Sequence, residues 1–67
     1  MKLATIKNTV SLPEYKEAFT ESSLRWHIHN SANNRMNEIG VIVRLRGRVY
    51  IDLDLFPKWL ETFRTAA

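Results

Sequence analysis

Five arginines concentrated in the middle of the chain are the side chains best suited to chemistry with a partner. Residues 20–50 oppose them with only Glu21 and Glu38, so this segment carries the whole net charge of +3. The planar guanidinium group binds phosphates and guanine edges through paired hydrogen bonds. The cluster indicates a polyanionic partner, the alternative being a solvated surface with a chance excess of charge. The five are Arg25, Arg35, Arg44, Arg46 and Arg48.

Residues 20–30, the stretch around the first of these arginines, predict a short helix with one exposed polar face. At 100° per residue, Leu24, Ile28 and Ala32 stack on the opposite, apolar face. Thr20 can cap the first turn through its hydroxyl group. About 11 helical residues span roughly 16 Å, which is long enough to lie in a DNA major groove. The candidate DNA contacts of this helix are Ser22, Ser23, Arg25, Trp26, His29 and Asn30.

The sequence supports a catalytic site or a metal site less well than it supports contacts with a polyanion. His27 and His29 are two residues apart and therefore point about 200° from each other on a helix, so they cannot share a metal ion. Nothing orients a serine and a histidine as a nucleophilic pair, and helix capping accounts for Asp52 and Asp54. With two glycines in 67 residues, no glycine-rich phosphate loop is present. The sequence predicts no enzymatic activity, no metal and no cofactor.

Length and composition predict one small globular domain over residues 1–67. The chain is 45% hydrophobic and 25% charged, and it contains no cysteine. A single small core must therefore stabilise it without disulfides or a cysteine-based zinc site. The sequence has neither a signal peptide nor an apolar run near the roughly 20 residues of a membrane span. We expect a cytoplasmic protein of marginal stability.

The N-terminal part predicts a strand or arm followed by the first helix of a helix-turn-helix. Residues 1–10 are rich in β-branched side chains and would form a short strand over residues 3–6 or an ordered arm. Residues 11–14, Ser-Leu-Pro-Glu, match a capping box. A helix over residues 12–18 would follow, and residues 19–21 would turn into the next helix. Its expected core-facing side chains are Leu12, Tyr15 and Phe19.

Residues 31–38 are polar and rich in asparagine, which predicts a loop. Asn33 or Asn34 would end the preceding helix in the left-handed conformation that asparagine tolerates. Met36 or Ile39 would hold the loop against the core.

Residues 40–52 carry the clearest strand pattern in the chain. Two β-branched runs flank Arg46-Gly47, and Gly47 can supply the positive φ that a type I′ hairpin turn needs. The strands would be apolar near the base and cationic near the tip, whereas a bulge would exchange the two faces. The expected cross-strand pairs are Leu45 with Arg48, Val43 with Tyr50 and Ile42 with Ile51. The candidate wing and loop contacts are Arg35, Arg44, Arg46 and Arg48. For Arg35, the favoured interpretation is a solvated loop residue, and a phosphate contact is the alternative.

A last helix is predicted after the hairpin. Asp54 is the expected cap because Pro57 then falls in the first turn, where its missing N–H does no harm. Trp59 and Leu60 should close the core against the hairpin, and residues 65–67 should fray. The apolar stripe of this helix is Leu55, Phe56, Trp59, Leu60 and Phe63.

The order helix, helix, hairpin, helix is that of a small α+β winged helix-turn-helix. Over residues 11–62 the chain resembles MerR-type winged helices, in the compact form of AlpA-like regulators and excisionases. Residues 24–27, Leu-Arg-Trp-His, are similar to a Leu-Arg-Tyr-Tyr run on the second helix of that family. Residues 48–50, Arg-Val-Tyr, match a run on the second wing strand. Residues 51–60 resemble the ending of small excisionase-like proteins.

The resemblance implies that the second helix enters the major groove while the hairpin, as a wing, reaches a flanking groove or backbone. Arg25 would then contact a phosphate or base, and Trp26 would lie against the sugar-phosphate backbone. The wing contacts would be Arg44, Arg46 and Arg48. Trp26 lacks the hydroxyl group of the tyrosine usual in the family, which removes one phosphate hydrogen bond. The dimerisation helix and effector domain of full MerR regulators are not expected, and neither is small-molecule sensing.

These observations predict a sequence-specific double-stranded DNA-binding protein. It would serve as an excisionase (a recombination directionality factor) or as a small transcriptional regulator of a mobile element. Its expected partners are duplex DNA, further copies of itself on adjacent sites and an integrase. The alternative is a protein–protein interaction module that uses the Trp26 face, because tryptophan and arginine are enriched in binding hot spots.

Overall fold

Four short helices and a three-stranded antiparallel sheet make up residues 1–64, the part of the chain that the computed structural model describes. The α+β class is therefore confirmed, and the predicted fraying of residues 65–67 lies outside the described residues. In chain order the elements are β1 (Leu3–Thr5), α1 (Ile6–Ser11), α2 (Glu21–His29), α3 (Met36–Ile39), β2 (Ile42–Leu45), β3 (Arg48–Asp52) and α4 (Phe56–Glu61).

The predicted hairpin is confirmed in its turn and in its register. Arg46 and Gly47 both have positive φ, 52° and 77°, as a two-residue type I′ turn requires. The cross-strand pairs are Leu45 with Arg48, Arg44 with Val49, Val43 with Tyr50 and Ile42 with Ile51. The sheet is larger than predicted, however, because β1 adds to the other edge of β3 and gives the strand order β1-β3-β2.

The N-terminal strand is one residue shorter than predicted, and a helix that was not predicted follows it. Thr5 ends β1 and caps α1, its hydroxyl group accepting the N–H of Asn8 at 3.1 Å. Ile6, which was assigned to the strand, is instead the first helical residue and is buried.

The predicted helix over residues 12–18 is wrong. Ser11 is the last residue of α1, and its hydroxyl group donates to the carbonyl of Lys7 at 2.9 Å instead of capping a new helix. Leu12 is extended, with ψ 139°, as expected for a residue that precedes a proline. Residues 12–18 form turns that lead into α2. Tyr15 and Phe19 nevertheless pack against the core as predicted.

Helix α2 forms as predicted and begins with a reciprocal cap. The hydroxyl group of Thr20 accepts the N–H of Ser23 at 3.1 Å, and the hydroxyl group of Ser23 accepts the N–H of Thr20 at 2.9 Å. Leu24 and Ile28 are buried. Ala32, predicted to continue their stack, is exposed because the helix already ends at His29.

The segment 31–38 is partly helical and not wholly a loop, since α3 begins within it. Neither Asn33 nor Asn34 is left-handed; Arg35 takes that conformation, with φ 73°. Asn34 instead ties the segment together, its side chain donating to the carbonyl of His27 at 2.8 Å and accepting the N–H of Met36 at 3.1 Å. Met36 is fully buried, which confirms that it holds the segment against the core.

The prediction of Asp54 as the cap of α4 is wrong: Leu55 is the N-cap residue, and no side chain caps the helix. The buried carboxylate of Asp52 accepts the N–H groups of Asp54 at 2.9 Å and Leu55 at 3.3 Å, just ahead of the helix. Asp54 stays exposed, within 3.6 Å of the N-terminal ammonium group. Pro57 falls in the first turn, as predicted.

The core lies between the helices and the inner face of the sheet. Trp59 is fully buried; its ring meets His27 edge-on at 5.3 Å, and its Nε1 donates to the carbonyl of Asn34 at 2.8 Å. It therefore joins α4 to α2 and the 31–38 segment, and it belongs to the same buried cluster as Ile51 of the hairpin. Phe63, at the end of the predicted stripe, is 56% exposed. The buried apolar side chains are Ile6, Leu24, Ile28, Met36, Val41, Ile51, Phe56 and Trp59.

Candidate nucleic-acid interface

A groove of about 680 Å³ lies between α2, the start of α1 and the tip of the β2–β3 hairpin. We call it the basic groove because its lining includes two guanidinium groups from the hairpin, one from α2 and a lysine from α1, with no carboxylate. The lining residues are Thr5, Ile6, Lys7, Arg25, Ile28, His29, Ser31, Arg44, Gly47, Arg48 and Val49.

Helix α2 contributes Arg25 and His29, which are four residues apart and therefore share one side of the helix. Buried Ile28 lies next to them and fixes the rotation of the helix, so that both polar side chains reach the rim of the groove. Arg25 is 3.9 Å from Glu21, and both side chains are exposed. An exposed pair of this kind contributes little stability, so a phosphate can replace the glutamate.

The hairpin contributes Arg44 and Arg48. Arg44 lies opposite Val49 on the sheet face that carries buried Ile51 nearer the base. Towards the tip this face extends past the core, so Arg44 and Val49 line the groove. Among residues 1–64, no carboxylate lies within 4.0 Å of the guanidinium groups of Arg44, Arg46 or Arg48. The hairpin tip is therefore an uncompensated cationic surface.

Lys7 is a groove residue that the sequence analysis missed, because α1 was not predicted. A signal was present: Thr5 can cap a helix, and Ile6, Thr9 and Val10 follow with the spacing of one helical face. Ile6 and Thr9 are buried and Val10 is half-buried on that face, while Lys7 points to the groove.

Two of the predicted DNA contacts of α2 make hydrogen bonds that stabilise the ends of the helix. Ser23 is engaged in the cap with Thr20, and the amide of Asn30 donates to the carbonyl of Trp26 at 2.9 Å, closing the end of α2. Ser22 and Trp26 lie on the exposed side of α2 outside the groove lining. Trp26 touches His27 edge-on at 5.2 Å but is 62% exposed, so packing alone does not account for it.

The two remaining predicted arginines do not line the groove. Arg35 is exposed and pairs with Glu38 at 3.2 Å. Arg46 occupies the first position of the hairpin turn and is exposed there. The structure thus brings together Arg25, His29, Arg44 and Arg48 of the predicted set, and it adds Lys7.

Two further properties concern residues 1–64. No cluster of three or more histidine, aspartate or glutamate side chains is arranged to hold a metal ion in this part of the chain. No helix within it is both long and apolar enough to cross a membrane. Comparison with known proteins found no matching family model, no matching curated protein and no matching solved structure.

Proposed function

We propose that the chain is a small winged helix-turn-helix protein that binds double-stranded DNA through α2 and the basic groove. The observation that carries the proposal is the convergence of cations from three separate elements on one carboxylate-free groove. Lys7 comes from α1, Arg25 from α2, and Arg44 and Arg48 come from the hairpin. Phosphate contacts of this kind supply essentially all of the non-specific affinity of DNA-binding proteins and a large share of their specific affinity.

In this proposal α2 is the recognition helix and the hairpin is the wing. Nine residues give α2 a length of about 13.5 Å, which suits a major groove. Ser22, Arg25 and His29 would meet base edges, with Trp26 against the sugar-phosphate backbone, while the wing arginines hold neighbouring phosphates. One departure from the usual motif is the connection between the helices, residues 12–20, which is longer than a turn of three or four residues.

We further propose that the protein acts in the cytoplasm as an excisionase or as a small transcriptional regulator of a mobile element, with an integrase as partner in the first case. The support is the resemblance to MerR-type and excisionase-like sequences. The Leu-Arg-Trp-His run lies in α2, and the Arg-Val-Tyr run lies in β3, the second strand of the hairpin.

The test is the salt dependence of binding to duplex DNA. If Lys7, Arg25, Arg44, Arg46 and Arg48 each neutralise one phosphate, log K should fall against log salt with a slope of about −4.5, at roughly 0.9 per contact. Arg25→Ala and Arg44→Ala should each weaken binding and flatten the slope by about 0.9. Lys58→Ala, which removes an exposed cation from α4, should bind like the parent and serves as the matched control.

Groove variants that bind duplex DNA as the parent does, with an unchanged slope, would contradict the proposal. The competing function is a protein-binding module centred on Trp26. For that function Trp26→Ala would abolish partner binding with little salt dependence, and Arg44→Ala would have no effect.

A further inference from the structure

The buried part of the basic groove's lining holds a polar group that the fold does not use. This part, which we call the floor, consists of Ile6, Ile28 and Ser31. Ser31 is only 6% exposed, yet its hydroxyl group makes no hydrogen bond within residues 1–64. Thr9 shows the usual arrangement for a buried hydroxyl group, since it donates to the carbonyl of Thr5 at 2.7 Å. The Ser31 hydroxyl group is therefore available to a ligand.

The hydroxyl oxygen of Ser31 opens to the groove. In the part of the chain that the structure describes, every fully enclosed side-chain nitrogen or oxygen atom has a hydrogen-bond partner. The unpartnered oxygen of Ser31 is therefore not enclosed, and the groove is the surface that this residue lines. Ile6 and Ile28 bring only apolar side chains to the floor, so Ser31 supplies its one side-chain hydrogen-bond donor.

Hydrogen bonds hold the backbone of Ser31 in place. Its N–H donates to the carbonyl of Ile28 at 3.1 Å, and its carbonyl accepts the N–H of Asn37 at 3.3 Å. A group that is held in position before binding loses little conformational freedom when its ligand arrives. Ser31 is consequently a preorganised donor.

The end of α2 beside the floor offers little repulsion to an anion. The last carbonyls of a helix normally carry its negative pole. Here the carbonyl of Trp26 accepts the side chain of Asn30 at 2.9 Å, and that of His27 accepts the side chain of Asn34 at 2.8 Å. The carbonyl of Ile28 is paired as well. These three acceptors already face donors of the fold, which reduces the negative potential that a ligand would meet.

Around the floor the groove is cationic and has no carboxylate in its lining. Lys7 is the neighbour of Ile6 in α1, and Arg44 and Arg48 come from the hairpin. None of these three cations has a carboxylate within 4.0 Å in residues 1–64. A phosphate group carries several oxygens, so one can accept from a hydroxyl group while the others pair with cations. Phosphate is thus the ligand class that a lone hydroxyl group among cations suits best.

We propose that the Ser31 hydroxyl group and Lys7 together hold one backbone phosphate of duplex DNA at the floor of the basic groove. This phosphate site rests on the proposed DNA binding and adds to it a contact that sets the register. Phosphate contacts fix the position of a protein along the duplex. A contact in a recess forms in one register only, whereas exposed arginines can follow the phosphates of any duplex. Ser31 thereby decides where α2 lies along the major groove.

The first test compares Ser31→Ala with the parent on two duplexes. One is a duplex that the parent selects from a randomised library, and the other has an unrelated sequence. Ser31→Ala should bind the selected duplex about tenfold more weakly and the unrelated duplex less than about threefold more weakly, because the charge-assisted hydrogen bond forms in the selected register. The slope of log K against log salt should not change, since no charge is removed. The Tm should not fall, because the hydroxyl group has no partner to lose within residues 1–64.

Two further variants provide the contrast. Lys7→Ala should weaken binding to both duplexes about equally and flatten the slope by about 0.9, because it removes a cation. Thr9→Val removes the other buried hydroxyl group, which lies outside the groove lining. It should lower the Tm through the lost bond to Thr5 and leave the affinity for both duplexes unchanged.

A second measurement locates the phosphate. In the selected duplex, each phosphate in turn is replaced by an uncharged methylphosphonate. At one position the replacement should weaken binding of the parent about tenfold more than binding of Ser31→Ala, because only the parent donates to that phosphate. Losses of the same size for both proteins at every position would overturn the proposal.

Two other results would overturn it as well. One is a Ser31→Ala variant that binds the selected duplex as tightly as the parent. The other is a Ser31→Ala variant that has a lower Tm or does not fold, since the hydroxyl group would then serve the fold. If Lys7→Ala and Arg44→Ala also bind as the parent does, the basic groove is not the DNA-binding surface and both proposals fail. If those two variants weaken binding and Ser31→Ala does not, only the phosphate site fails.

Discussion

Replacing Arg46 with asparagine should make the protein more stable and weaken its binding to DNA. Arg46 has φ 52°, a left-handed conformation that costs an ordinary L-residue roughly 1–2 kcal/mol. Asparagine tolerates this conformation, and Asn-Gly is a preferred pair for a type I′ turn. We expect Arg46→Asn to raise the free energy of unfolding by about 1 kcal/mol, or the Tm by roughly 4–8 °C for a domain of this size.

The same substitution removes a cation that has no carboxylate within 4.0 Å in residues 1–64. If Arg46 contacts a phosphate, the slope of log K against log salt should flatten by about 0.9. Calorimetry and salt-dependent DNA titration measure the two effects separately. Arg46→Ala is the matched control: alanine removes the same charge but remains strained at this φ, so it should lose DNA affinity without gaining stability.

An unchanged or lower Tm for Arg46→Asn, measured beside Arg46→Ala, would refute the argument from backbone strain. A higher Tm with an unchanged salt slope would refute only the phosphate contact, and the wing would then act through Arg44 and Arg48. The paired variants therefore test the fold and the proposed function independently.

Three further outcomes are expected. Arg35→Gly should stabilise the protein by up to about 1 kcal/mol in urea unfolding, because Arg35 has φ 73°. Asn34→Ala should destabilise it by about 1–3 kcal/mol in the same assay, since the carbonyl of His27 and the N–H of Met36 lose their partners. The raised pKa of Tyr15 means that the folded state favours the protonated phenol. The stability that this preference contributes is present below pH 10, the usual tyrosine pKa, and is lost as the pH rises above that value. Tyr15→Phe should accordingly reduce the loss of Tm between pH 9 and 11, about one unit either side of the usual tyrosine pKa.

Local chemistry explains which elements the sequence could predict. The hairpin was predicted in its turn and register because Gly47 and two β-branched runs leave few other pairings. Helix α2 was predicted because Thr20 is a strong capping residue ahead of an amphipathic stretch. Residues 11–14 led to the wrong prediction of a helix over residues 12–18, because they have the composition of a capping box. Ser11 is instead the last residue of α1, the helix that Thr5 caps.

The missed features depend on contacts between distant residues. The backbone carbonyl of Asn34 accepts a hydrogen bond from the indole N–H of Trp59, which lies 25 positions away in the chain. This tertiary bond helps to fix the backbone next to Arg35, the residue that is left-handed. Asp52, and not Asp54, accepts the N–H groups just ahead of α4, because it lies buried at the end of β3. Within the basic groove, Arg25, Arg44 and Arg48 could be nominated from composition, whereas Lys7 required the position of α1.

The pairing of β1 with β3 has a consequence for how the molecule folds. Leu3 meets Asp52, so the inner strand of the hairpin acquires its second neighbour only when segments nearly fifty positions apart come together. Contacts of such long sequence separation slow folding and couple distant parts of a chain. The hairpin is consequently held at its base by the first residues, and the β3 amides that are hydrogen-bonded to a neighbouring strand should exchange with solvent only through global opening. Deleting residues 1–5 should convert that slow exchange into fast exchange while β2 and β3 keep their turn.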